Sequence, residues 1–152
     1  MKSSYPLVLT IVILLALVGC KDDGSSPPPP ESFSGILMTD ATGTILGGDT
    51  TDFQPRPLSN GHLPTNYSFI CAYPNPVDGN SVYLRYQLPQ PDTVLIRVYD
   101  GPNRPPVDTL SNDIRPAGSF LILWTWSGPK GILRAEMTTP TGFRSYGDIQ
   151  FR

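Results

Sequence analysis

The sequence predicts an all-β protein, and three observations carry that prediction. Of its 152 residues, 18 are proline and 14 glycine, while glutamate stands only at Glu31 and Glu136. Proline removes a backbone donor and glycine weakens a helix interior, so this composition favours turns and short strands over helices. From Phe33 onward, short β-prone runs alternate with turn clusters at fairly regular intervals, the pattern of a sandwich or barrel. The first thirty or so residues are of a different character, which leaves roughly 120 residues, enough for one modest core. The formal net charge is -2 and Lys and Arg do not cluster, so there is no electrostatic footprint for nucleic acid, which is excluded as a partner.

The chain divides into four stretches. Residues 1–19 begin with Lys2 as a positive region, continue as an apolar run from Leu7 to Val18 and end on a small residue, the layout of a secretory signal. At ~1.5 Å per residue that run makes roughly 18 Å of helix, short of the ~30 Å hydrocarbon core, which favours cleavage over a permanent span. Leu17-Val18-Gly19-Cys20 resembles the lipobox of bacterial lipoproteins. The resemblance implies cleavage between Gly19 and Cys20, and a diacylglyceryl thioether and an acylated amine on Cys20. Each buried methylene contributes about 0.8 kcal/mol and more than one chain gives stable anchoring. Membrane lipid is therefore the first expected partner, and the cell envelope, at the outer membrane, the expected location.

Residues 20–32 form the tether. Lys21-Asp22-Asp23 reads as a solvated acidic stretch, and it also resembles the export signal of surface-exposed lipoproteins in Bacteroidota, which implies surface display. The four prolines 27–30 favour extended polyproline II, and at about 3.1 Å per residue Lys21 to Ser32 spans roughly 35 Å. Residues 33–66 follow, a segment packed on or preceding the sandwich. Gly35 to Leu46 reads as a hairpin around Asp40–Gly43, and 47–66 as a long irregular connection rich in Gly, Pro, Asn and Asp.

Residues 67–152 carry the sandwich. Val82, Leu84, Tyr86 and Leu88 alternate with Tyr83, Arg85 and Gln87, giving one buried and one wet face. Val94, Ile96 and Val98 repeat the device against Leu95, Arg97 and Tyr99. The five-residue link Pro89–Thr93 suits a hairpin between these two strands. Four further strands are expected within 106–111, 118–127, 131–139 and 143–151. Trp124 and Trp126 share a face and are expected to anchor packing, a sugar-binding platform being the other use of such a pair.

From Tyr73 to Arg152 the chain resembles the immunoglobulin-like module of the flagellar hook-capping protein and of the C-terminal sorting domains of type IX secretion cargo. The residues that carry the likeness are Tyr73-Pro74-Asn75-Pro76, the runs 84–89 and 94–100, Arg104, Leu110, Pro116-Ala117-Gly118, Trp124 and the run 131–137. The resemblance implies an Ig-like β-sandwich of about seven strands, with Tyr73–Pro76 as a rigid lead-in to the first of them. Asn103 stands where the family usually has glycine, and the loop after Trp126 is shorter than the family's acidic, Gly-rich one. A sorting role fits poorly, because such a domain is normally removed after export and this chain offers little else to deliver.

Chemistry is sparse. His62 is the only histidine, and no second metal ligand stands at the right spacing, so no metal and no cofactor is expected. Asp49 and Asp52 are the best candidates for a cation site, with turn formation as the favoured role. Cys71 reads as a small core residue, with Cys20 claimed by lipidation. There is no GxSxG, no phosphate-cradling loop and no pair of glutamates. The expectation is a non-catalytic lipoprotein, not an enzyme, that presents its sandwich to an envelope or extracellular protein or glycan. The alternatives are a structural part of an envelope, secretion or motility assembly, and a small envelope hydrolase whose site lies on 47–66 around Asp49, Asp52 and His62.

Overall fold

The computed structural model describes residues 32–54, 65–101 and 103–152. The signal segment, Gly19, Cys20, Lys21, Asp22, Asp23, most of the proline linker and His62 lie outside them. The described residues contain no helix and form nine strands: β1 (Leu37–Thr39), β2 (Ile45–Gly48), β3 (Ser68–Tyr73), β4 (Ser81–Leu88), β5 (Asp92–Tyr99), β6 (Asp108–Arg115), β7 (Gly118–Thr125), β8 (Gly131–Thr138) and β9 (Arg144–Phe151). All pairings between strands are antiparallel, in a hairpin β1-β2, a three-stranded sheet β3-β4-β7 and a four-stranded sheet β6-β5-β8-β9.

The two larger sheets share one core, as the layers of a β-sandwich do. The alternation read from the sequence selects its members: Val82, Leu84 and Leu88 from β4 and Val94, Ile96 and Val98 from β5 are fully buried. Met137 on β8 and Ile149 on β9 join them from the four-stranded sheet, Phe69 from the other. At about 1.5–3 kcal/mol for each such side chain, this burial is the main stabilising term.

Three expectations need correction. Gln87, expected on the wet face of β4, is buried at the end of the strand. Pro89–Thr93 does not close a hairpin, because β4 pairs with β3 and β7 while β5 pairs with β6 and β8; the link carries the chain from one sheet to the other. Alternation fixes which face is buried and is silent on which strand lies alongside. The first sandwich strand is β3, and Tyr73–Pro76 follows it rather than leading in. The strand was obscured by its burial on both faces, Ser68, Phe69, Cys71 and Ala72 all being buried, which erases the period of two.

The hairpin forms where expected. Asp40 accepts from the Thr42 and Thr44 amides at 2.8 and 2.9 Å and from the Thr42 hydroxyl at 2.7 Å, and these bonds hold its carboxyl below the usual range. At its far end Gly48 has φ of 91°, and a Cβ there would stand 2.2 Å from the Ile36 carbonyl oxygen, so only glycine fits.

The start of the irregular connection is tied to β9. Phe53, at φ of 55°, donates its amide to Tyr146 O at 2.7 Å and packs edge-on against Phe69 at 5.1 Å. Its ring lies over Gly147, where a Cβ would come within 2.2 Å. Gly147→Ala is therefore expected to displace the ring and to cost about 1–3 kcal/mol in urea denaturation. Gly79→Ala, with open space around the position, is expected to stay within about 0.5 kcal/mol of the parent.

Candidate functional site

Two regions draw together the residues with chemical potential: a charged cluster beneath the Asp49–Phe53 segment, and the outward face of the three-stranded sheet.

The cluster is built on a cross-strand pair. Arg134 on β8 stands opposite Asp148 on β9, and the guanidinium donates from Nε to Oδ1 at 2.7 Å and from Nη2 to Oδ2 at 2.8 Å. Arg134 is 4% exposed and Asp148 fully buried. The Tyr146 and Phe33 rings flank the guanidinium at 4.6 and 5.4 Å, and Ser32 O accepts from Nη2 at 3.1 Å. Burial works against the charge on Arg134, but the Asp148 bonds outweigh it and its pKa is raised. Burial pushes the Asp148 carboxyl up, and Arg134 offsets only part of that.

Asp52 completes the cluster. It is fully buried, accepts from the Leu37 amide at 3.2 Å, and is pushed up to about 7, first by burial and then by the charge of Asp148. Asp49 bends its own backbone, accepting from the Thr51 amide at 2.8 Å and the Thr51 hydroxyl at 2.6 Å. The turn role is thus the observed one for Asp49, while Asp52 serves to hold the hairpin. Among the described residues no group of three or more His, Cys, Asp or Glu is placed to hold a metal ion, and both Asp148 oxygens are engaged by Arg134.

Asn75, in the Tyr73–Pro76 motif, is a staple between segments. The peptide bonds Tyr73-Pro74 and Asn75-Pro76 are cis. Between them the buried Asn75 amide donates to Leu37 O and Asp148 O, each at 2.9 Å, and its Oδ1 accepts from the Gln150 amide at 3.0 Å. Its backbone exchanges two further bonds with Thr39, at 2.8 and 3.2 Å. The motif joins the hairpin to β9 and carries no exposed chemistry. Asn103 takes φ of 60°, a left-handed conformation that asparagine tolerates.

Trp124 is 5% exposed, donates Nε1–H to Asp108 Oδ2 at 2.8 Å and packs edge-on against Phe151 at 5.5 Å. It is an anchor of the core, and its buried ring offers no sugar-stacking surface. Cys71 is buried, as its apolar setting suggests.

No protein-family model, curated protein or solved structure matches this chain.

The second region is different in kind. Register places Tyr73, Tyr83 and Leu123 in one row across β3, β4 and β7, and Arg85 beside Leu121 in the next. Tyr73 and Tyr83 stack at 5.4 Å. Leu121 and Leu123 are 52% and 58% exposed, and Tyr83 38%. The alternation of β4 alone marks this face as wet. The signal was present in the alternation of β7, where Phe120, Ile122 and Trp124 occupy the inner positions and force both leucines outward.

Proposed function

We propose that this chain is a non-catalytic envelope lipoprotein. Cys20 is acylated and anchors it in the outer membrane, Lys21-Asp22-Asp23 directs it to the surface, and the proline linker holds an Ig-like β-sandwich off the bilayer to meet a protein partner. The exposed Tyr83, Leu121 and Leu123, with the half-buried Tyr73 stacked on Tyr83, are the observation that carries the reading, since outward leucines beside aromatic residues suit a protein surface better than a sugar. The Ig-like assignment is supported by seven strands divided three and four, with β6 beside β5 rather than beside β7. The non-catalytic assignment is supported by the fate of the charged cluster, whose carboxylates are buried and bonded to Arg134 and to backbone amides.

The test has two parts. Intact mass of the native protein is expected to show a chain beginning at Cys20 with added acyl mass, and a Cys20→Ala variant is expected to lose membrane association. A photoreactive residue at position 123 is expected to give discrete protein adducts in intact cells, while one at Asn112, on β6 of the other sheet, gives none. Absence of acyl mass would sink the anchor, and equal labelling from both positions would sink the contact face.

A further inference from the structure

Resting on that reading of the face, we propose that a second copy of this chain extends it, joined edge to edge through β7 in an antiparallel pair centred on Ile122. β7 ends the sheet β3-β4-β7, so one row of its backbone groups points away from β4. Such edges invite another strand, and proteins block them with charges, prolines, bulges or covering segments.

The other three edges of the two larger sheets are blocked in these ways. The outer edge of β9 is covered by the Phe53 amide on Tyr146 O, by the Val77 amide on Gln150 O and by Asn75. β6 carries Asp108, Asp113 and Arg115. β3 is bulged between Phe69 and Cys71, and its Ala72 carbonyl accepts from the Thr39 hydroxyl at 2.7 Å. Among the described residues β7 shows none of these devices: it pairs with β4 in unbroken register over eight residues, and from 117 to 128 there is neither a charged residue nor a proline.

The strand is also complementary to itself. Directly opposed residues of an antiparallel pair point to the same face. A two-fold axis through Ile122, normal to the sheet, sets Leu121 opposite Leu123 of the second copy and Leu123 opposite its Leu121. On the inner face the same axis opposes Phe120 and Trp124, and beyond them Ser119 meets Thr125, so no charge is buried and none repels. Moving the axis to Leu121 or Leu123 leaves a single leucine pair and sets the other leucine against Ser119 or Thr125. The product is a six-stranded sheet whose outer face joins the two exposed leucine rows, with Tyr83 on either side. One strand pair is a small interface, so association in the micromolar range is expected, and anchoring both copies on one membrane raises their effective concentration.

Charge placement tests the register. The full chain, in non-ionic detergent, is examined by sedimentation velocity from about 1 to about 100 µM. Leu121→Lys/Leu123→Lys sets lysine against lysine twice, and Leu121→Lys/Leu123→Glu sets lysine against glutamate twice; both positions are exposed, and circular dichroism confirms that each variant is folded. The parent and the Lys/Glu variant are expected to dimerise, and the Lys/Lys variant to associate at least tenfold more weakly. A parent that stays monomeric throughout, or two double variants that behave alike, overturns the proposal. A monomeric parent whose photoreactive residue 123 still labels a different protein retains the contact face and loses only the second copy that extends it.

Discussion

Replacing Arg134 with methionine is expected to cost about 3–5 kcal/mol, a large share of the 5–15 kcal/mol by which a domain of this kind is stable. The guanidinium satisfies both oxygens of a fully buried Asp148. Without it the buried carboxylate is left with the Ser34 amide in the field of Asp52 and Asp49, and must either keep a poorly compensated charge or take up a proton. The variant also loses the packing between Phe33 and Tyr146 and the bond to Ser32 O. Arg134→Lys keeps the charge but not the planar fork, and is expected to fall between parent and methionine variant. The double variant Arg134→Met/Asp148→Leu removes both charges and is expected to recover most of the loss, because the greater part of the penalty comes from stranding one partner. Urea denaturation of the four proteins at neutral pH decides the matter. A cost below about 1 kcal/mol for Arg134→Met would mean that the pair behaves as an exposed one.

That pair marks the boundary of what could be read from the chain alone. In β4 the sequence showed which residues enter the core, because Val82, Leu84 and Leu88 stand at strict alternation and burial follows. An arginine between Leu133 and Ala135 reads by the same logic as the wet side of a strand. It is buried because the outer side of β8 and β9 is covered by residues 32–33 and 52–53, segments distant in sequence whose arrival no local pattern announces. The hairpin at Asp40–Gly43 was legible because its signal is local, an Asx turn and a left-handed glycine. The sheet assignment of β5 was not, since it depends on competition among strands. Asn75 falls between: the motif made it conspicuous, but its role needed the positions of Leu37 and Gln150.

The stability of the domain is expected to fall as pH rises from about 4 to about 7, and Asp52→Asn is expected to flatten that slope. The folded protein holds the Asp52 carboxyl up at about 7, against an ordinary value of 3.8. An acid whose pKa is raised by folding is a stabilising group in its protonated form. Its contribution is complete below the unfolded value and is lost as pH rises through the folded one, because in that window the unfolded chain gives up the proton first. A difference of about three pH units corresponds to roughly 4 kcal/mol. The groups that face Asp52 are Asp148, Asp49, Arg134 and Tyr146, and an amide at position 52 removes first the burial of a charge and then the repulsion from Asp148 and Asp49. Its carbonyl can still accept from the Leu37 amide. Parent and variant are therefore expected to be about equally stable at pH 4, with the variant ahead by a few kcal/mol at pH 8. Asp49→Asn removes only the smaller of the two repulsions on Asp52 and is expected to flatten the slope far less than Asp52→Asn does. Parallel stability curves for parent and Asp52→Asn would show that the carboxyl is already ionised in the folded protein at pH 4. Amide exchange localises the effect: if ionised Asp52 loosens the segment that seals β9, the Leu37 amide loses protection above pH 7 in the parent before the core of β4 and β5 does, and keeps it in the variant.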